Sequence, residues 1–191
     1  MAPSQTNKAK KSIEGRLQEV EDRLEILNLI AAHPPGTDSG ASEFAASLWT
    51  EDGEFDRGAG LSGHKGKAAM GSGLATPGFR EAMRQGIAHF SGLPHIELKG
   101  DKATVTSYLQ IVTPNPHGEP VEISSHGTSK GFRIHRMTVS RWDLVRTEEG
   151  WRIARRRLRL LDTTDEGRAL LRELTQPAQG RPPATQPNAL F

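Results

Sequence analysis

Cysteine is absent from all 191 residues. That excludes disulfides, thiolate catalysis and thiolate-bound metal. Aromatic residues make up 5% of the chain, with one tyrosine among them, so phenol groups are scarce. Neither sign of charge dominates: 25 Lys and Arg against 23 Asp and Glu leave a net charge of +2. A nucleic-acid partner calls for a basic surface, and none is expected. The one dense basic run, WRIARRRLRLL at 151–161, has no interleaved aromatic platform and reads as a solvated or subunit-facing strand. Long apolar runs are missing as well. No stretch approaches the roughly 18 residues of a membrane span, and the start lacks the apolar region of a secretory signal. Neither a membrane partner nor export is therefore expected, which leaves a cytoplasmic location.

Apolar residues amount to 35%, and part of that deficit sits at the ends. MAPSQTNKAKK and TQPAQGRPPATQPNALF are polar, partly proline-rich and aperiodic. They predict disordered tails over 1–11 and 176–191. Between them, 12–162 has the length of one domain, followed by a short helix within 163–175.

Ser12 can cap a helix running to about Ala32, with Leu17, Val20, Leu24 and Leu27 at three- and four-residue steps. Ile26, Leu29 and Ile30 widen that stripe. Acidic residues crowd the first half, where the helix dipole favours anions. Pro34 predicts the end of the helix, with Pro35-Gly36 completing a rigid corner. A second short helix is expected over Ser42–Trp49, a turn at TEDG (50–53) and a strand from EFDR. The glycine-rich stretch 58–75 predicts a loop with one helical turn near Lys65–Met70. It lacks the GxxxxGK[ST] spelling of a phosphate loop. Thr76-Pro77 opens a further helix to about Gln85.

The period then changes to that of strands. IAHFSGLPHIEL, KGDK and ATVTSYLQIVT form a hairpin whose first arm is bent by Gly92 and Pro94. Residues 121–146 predict one long strand or two, and WDLVR-TEEG-WRIARRRLRLL a second hairpin turning at Glu149-Gly150. Helices followed by antiparallel strands imply an α+β fold. Its expected form is a cone: a strongly bent mixed or antiparallel sheet with the N-terminal helices on its concave side.

VEDRLEILNLIAAH, Asp38 eight residues after Ile30, and FAASLWTEDGEFD resemble the opening of SnoaL-like proteins of the nuclear transport factor 2-like superfamily. AHFSGLPHIELKGDKATVTSYLQIV and SRWDLVRTEEGWRIARRRL follow in the matching order, so the likeness covers about 17–160. Members such as scytalone dehydratase, bile-acid dehydratase and hexachlorocyclohexane dehydrochlorinase pair a strand histidine with an aspartate from the end of the first helical segment. The resemblance puts His89 at the histidine position and Asp38 at the aspartate. His33 falls where several members carry a tyrosine, and Pro34-Pro35 departs from the usual spelling. The fold also hosts hydrolases and pure binding modules, so it does not fix the activity.

The resemblance implies a small-molecule lyase or isomerase, dehydratase-like, without a cofactor. His89 is the base, Asp38 orients it, and His33 or a water assists the departing group. An imidazole held by a carboxylate suits that work, because the carboxylate fixes the tautomer and stabilises the imidazolium. Strand alternation puts Ile87, His89 and Ser91 on one face. Trp49, Phe55, Phe90, Tyr108 and Trp142 are candidate pocket walls, and His126 a residue of the pocket mouth. His64 and His117 are expected to be exposed, and His135 to face outward. His95 shares the face of His89 unless the bend flips it. No histidine pair has helical metal-ligand spacing, and no metal is expected. The expected ligand is a small apolar or semi-polar molecule, and family analogy favours a homodimer or homotrimer. Two alternatives stand beside this reading: a hydrophobic-ligand-binding or assembly module without turnover, and a polyketide-cyclase or steroid-isomerase relative with Asp38 itself as base.

Overall fold

The computed structural model describes residues 11–58 and 60–175. Of the tails expected over 1–11 and 176–191, all but Lys11 lies outside the described residues. The chain opens with helix α1 (Ile13–Asp38), capped by Ser12, whose hydroxyl accepts from the Gly15 N–H. Helix α2 (Ser42–Ser47) follows, then β1 (Trp49–Asp56), β2 (His64–Lys65), α3 (Lys67–Leu74) and α4 (Pro77–Arg84). Thr76 caps α4 by accepting from the Phe79 N–H. The remaining strands are β3 (Ala88–Ser91), β4 (His95–Lys99), β5 (Lys102–Pro114), β6 (Val121–Ile123), β7 (Gly127–Ser129), β8 (Phe132–Thr147) and β9 (Gly150–Leu160). Helix α5 (Glu166–Thr175) closes the described chain.

Seven strands form one sheet in the order β2-β1-β9-β8-β5-β3, with β4 pairing β5 beyond β3. All pairings are antiparallel except β1 with β9. The bend at Gly92-Leu93-Pro94 splits the first hairpin arm into β3 and β4, both held by β5. Register shifts between Ile111 and Val112 and between Asp143 and Leu144 add irregularity, and such bulges bend and twist a strand. The expected α+β architecture is the observed one. Helix α1 packs across one face, against β3, β4 and β9, while α5 covers β8 and β9 on the other.

Three local expectations are corrected. First, α1 does not stop before Pro34; it continues through Pro34 and Pro35 to Asp38. Proline's fixed φ is itself helical, and the loss is confined to N–H donors and a crowded carbonyl one turn back. Thr37 adds a local bond in this last turn by donating its hydroxyl to the His33 carbonyl at 2.8 Å. Second, TEDG is not a turn between elements but part of β1, as a bulge. Five steps along β1, from Trp49 to Glu54, match two along β9, from Ile153 to Arg155. Third, 58–75 contains a short strand and a two-turn helix, more order than one helical turn.

The apolar stripe of α1 also divides. Ile26, Leu29 and Ile30 are buried, with Asp22 and Pro34 in line with them, whereas Leu17, Val20, Leu24 and Leu27 are exposed. The buried set meets Trp49, Val105, Trp142, Leu144, Trp151 and Ile153 in the core. Asp22 fastens the helix to the sheet. Its carboxylate accepts from Arg146 Nη2 at 2.6 Å, from Gln18 and from the Trp151 indole. The Arg146 hydrogen bond outweighs burial and holds the Asp22 carboxyl below its usual range.

Candidate active site

The sheet and helices α1 to α4 enclose a cavity of about 510 Å³. His33, Pro34 and Thr37 reach it from α1, Trp49 and Phe55 from β1, and Ile87 and His89 from β3. Leu109 and Ile111 on β5, Arg136 on β8, and Arg156 and Leu158 on β9 complete the sheet wall. Met70, Leu74, Phe79 and Ala82 bring apolar cover from α3 and α4, and Arg57, Leu61 and His64 lie between β1 and α3.

Asp38 ends α1 and reaches β3. Its Oδ1 lies 2.5 Å from His89 Nδ1, and its Oδ2 accepts from the His89 backbone N–H at 2.8 Å. One carboxylate thus holds one residue by side chain and main chain together. A carboxylate only accepts, so the proton of a neutral His89 sits on Nδ1 and Nε2 keeps its lone pair. The imidazole lines the cavity while Asp38 stands behind it. The continued helix is what makes this contact, since Asp38 occupies its last residue instead of a free turn. The expected proline corner therefore gives way to an extra helical turn that aims the carboxylate at β3.

His33 is held differently. Its ring lies edge-on to Trp142, 5.1 Å between centroids, and near Trp49 at 6.3 Å. Arg156 Nη1 approaches its Nε2 at 3.4 Å. A guanidinium only donates, so Nε2 accepts and the proton of neutral His33 is on Nδ1. Burial, then the Arg156 charge, then His89 hold its pKa well below the usual histidine value.

Arg156 is the site residue that sequence reasoning missed. It is 3% exposed. Its guanidinium lies between the rings of Trp142, 4.0 Å from the centroid, and Phe55, 4.7 Å. Nε and Nη2 both donate to Ser140 Oγ, at 3.3 and 3.0 Å. Burial and then Arg57 lower its pKa to about 9, so it remains a cation at neutral pH. The signal was alternation: Arg156 is two residues before Leu158, on the face that points into the cone.

Of the expected pocket walls, Trp49 and Phe55 line the cavity. Trp142 stands behind it, buried, with its indole N–H donated to Ser107 Oγ. Phe90 and Tyr108 point to the opposite sheet face, 61% and 46% exposed. The register places Phe90 opposite Gln110, one residue out of step with His89 opposite Ile111. His126 is exposed in the turn between β6 and β7, its Nδ1 bonded to the Ser124 carbonyl, and it does not reach the cavity lining.

One other histidine is also corrected: His64, expected to be exposed, is half-buried in β2 and lines the cavity, whereas His135 is exposed and borders the cavity at its rim. Burial, then Arg57, lowers the His64 pKa. His135 is the extra residue of a bulge, where Arg136 pairs Ile111 but Ile134 pairs Val112. His95 pairs Thr106, so the Gly92–Pro94 bend puts it on the face away from His89. Among the described residues no group of three histidines or carboxylates could hold a metal ion, and no helix is long and apolar enough to cross a membrane.

The SnoaL-like domain family matches residues 18–157. Among solved structures, an NTF2-like protein with a cystatin-like fold from Novosphingobium aromaticivorans is 34% identical. It covers 85% of this chain and 99% of its own, with a TM-score of 0.74. A function-unknown protein from Mycobacterium tuberculosis is 21% identical over 84% of this chain and 82% of its own, with a TM-score of 0.61. A candidate scytalone dehydratase from N. aromaticivorans is 20% identical over 81% and 91%, with a TM-score of 0.55. The last two likenesses concern the fold alone. No curated protein matches the chain.

Proposed function

Because the chain belongs to the SnoaL-like family within the NTF2-like proteins, we propose that it is a cofactor-independent lyase or isomerase of dehydratase type. The observation that carries the reading is the 2.5 Å contact of Asp38 with His89 Nδ1 on the wall of an open cavity. His89 Nε2 takes a proton from a carbon next to a carbonyl or leaving group. Asp38 keeps the ring in the tautomer that can do so and stabilises the imidazolium that forms. The C–H electron pair becomes a new C=C bond. In elimination the leaving group departs with its own pair; in isomerisation the imidazolium returns the proton to a different carbon. An acid–base pair of this kind contributes roughly 10²–10⁴-fold in rate.

The geometry favours imidazole over carboxylate as base. Both Asp38 oxygens are engaged by His89, and Asp38 does not line the cavity. An empty volume of about 510 Å³ is also room for a ligand rather than a core filled by its own side chains. The test is turnover of a panel of β-hydroxycarbonyl and halogenated alicyclic compounds by the wild type, His89→Ala and Asp38→Asn. Turnover of at least one compound by the wild type, lost in both variants, is expected. No turnover by the wild type, or turnover unchanged in both variants, contradicts the proposal.

A further inference from the structure

Strand β9 carries three consecutive arginines that meet opposite electrostatic fates. Arg157 pairs Glu173 with both terminal nitrogens at 2.8 Å, and Arg155 lies 3.6 Å from Glu54. Arg156, between them in sequence, points the other way, into the cone. Among the described residues it has no carboxylate within ion-pair distance, and no aspartate or glutamate lines the cavity. Two more arginines, Arg57 and Arg136, line the same space. Neither makes an ion pair among the described residues, and each is half-buried. Arg57 has its pKa lowered by burial and then by Arg136, so the two cations repel each other. Asp38, the carboxylate behind His89, is committed to that residue.

A buried charge is costly unless paired or solvated by fixed groups. Here the two aromatic faces and Ser140 supply part of the compensation, and the rest of the guanidinium edge is unassigned. Of its five N–H groups, two go to Ser140 and one to His33. One N–H on each terminal nitrogen remains. Neighbouring terminal nitrogens match the two oxygens of a carboxylate, the pairing that makes guanidinium–carboxylate contacts strong and directional. Leu109, Ile111, Leu158, Met70 and Phe79 give the cavity apolar walls, with Thr37, Ser62, His64 and Thr76 as polar interruptions.

We propose that the ligand of this cavity is an apolar molecule carrying a carboxylate, and that Arg156 grips the carboxylate while Arg57 and Arg136 add long-range attraction. This rests on the reading of the cavity as a substrate site and names the substrate class. It makes Arg156 a binding residue and His33 a positioning residue, which steadies the guanidinium by accepting from Nη1. An acid bound this way presents its hydrocarbon body to the apolar walls, on one of which His89 sits.

The test uses 2-naphthoate and its neutral isostere 2-naphthamide, with affinities measured by isothermal titration at pH 7. Neither probe can undergo elimination, so the result stands whether or not His89 abstracts protons. The wild type is expected to bind the acid about tenfold or more tightly than the amide. Arg156→Gln should remove that preference, and Arg156→Lys, which keeps the charge but loses the fork, should retain only part of it. Circular dichroism checks that each variant is folded, and Arg156→Lys serves if Arg156→Gln is not. Equal wild-type affinity for acid and amide, no binding of either, or a preference that survives loss of the guanidinium overturns the proposal.

Discussion

His33 and His89 face one cavity and are held by opposite charges. His89 rests on a carboxylate that accepts hydrogen bonds from its Nδ1–H and its backbone N–H. His33 rests against a guanidinium that donates toward its Nε2. An anion beside an imidazole favours its protonated form, and a cation beside it disfavours that form. The same residue type thus serves two purposes within one hollow. The first can gain a proton during a reaction and be stabilised in doing so. The second is kept neutral, so it can accept a hydrogen bond and hold Arg156 in place. What separates them is burial together with the neighbour on the adjoining element, not the local sequence.

The largest effect that would break this comparison lies in rate. His89→Ala and Asp38→Asn are each expected to lower turnover of a proton-abstraction substrate by roughly 10²–10⁴-fold. His33→Gln should lose less and lose it in KM, as befits a positioning residue. Equal losses in kcat for both histidines would erase the distinction.

The next effect is in stability against pH. His33 has its pKa depressed in the folded chain. Below about pH 6.5 the unfolded chain therefore binds a proton there that the folded chain refuses. Its contribution is complete above the unfolded value and is lost as the pH falls below it, by at most about 1.4 kcal/mol per pH unit. Urea midpoints at pH 7.5 and 5.5 should fall further apart in the wild type than in His33→Gln. An identical separation in the two proteins would show that His33 is not held neutral.

The smallest effect is the guanidinium's own share. Arg156→Gln should raise the His33 pKa, followed by NMR titration of the ring, yet leave it below the ordinary histidine value. Burial is the larger cause and remains after the substitution. An unchanged His33 titration would remove Arg156 from the comparison.

The sequence was most informative where periodicity was unambiguous. The bent sheet, the two hairpins, the Ser12 and Thr76 caps and the alternation around His89 all follow from local rules. What misled were positions where a tertiary neighbour decided between two local options. Helix α1 is apolar on both sides, and periodicity alone could not say that Leu17, Val20, Leu24 and Leu27 remain exposed while Ile26 and Ile30 are buried. Pro34-Pro35 reads as a stop, but the last turn persists with Thr37 on the His33 carbonyl and Asp38 on β3. His135 borders the cavity rim at a bulge, which shifts facing by one residue and leaves no mark in composition, yet it stays exposed. Phe90 and Tyr108 were named for their aromatic character, although their positions, out of step with His89 and Leu109, place them on the outer face. Arg156 was hidden in a basic run that looked like a solvated edge, and only the facing of Leu158 pointed to it.

The account depends most directly on which ring nitrogen of His89 carries the proton. Nitrogen-15 NMR of the histidine side chains at pH 8, with His89 assigned through His89→Ala, reads this without any substrate. The predicted result is a protonated Nδ1 and a bare Nε2 for His89, with the Nδ1 signal shifted in Asp38→Asn. A His89 protonated on Nε2, with a spectrum indifferent to Asp38→Asn, would contradict it.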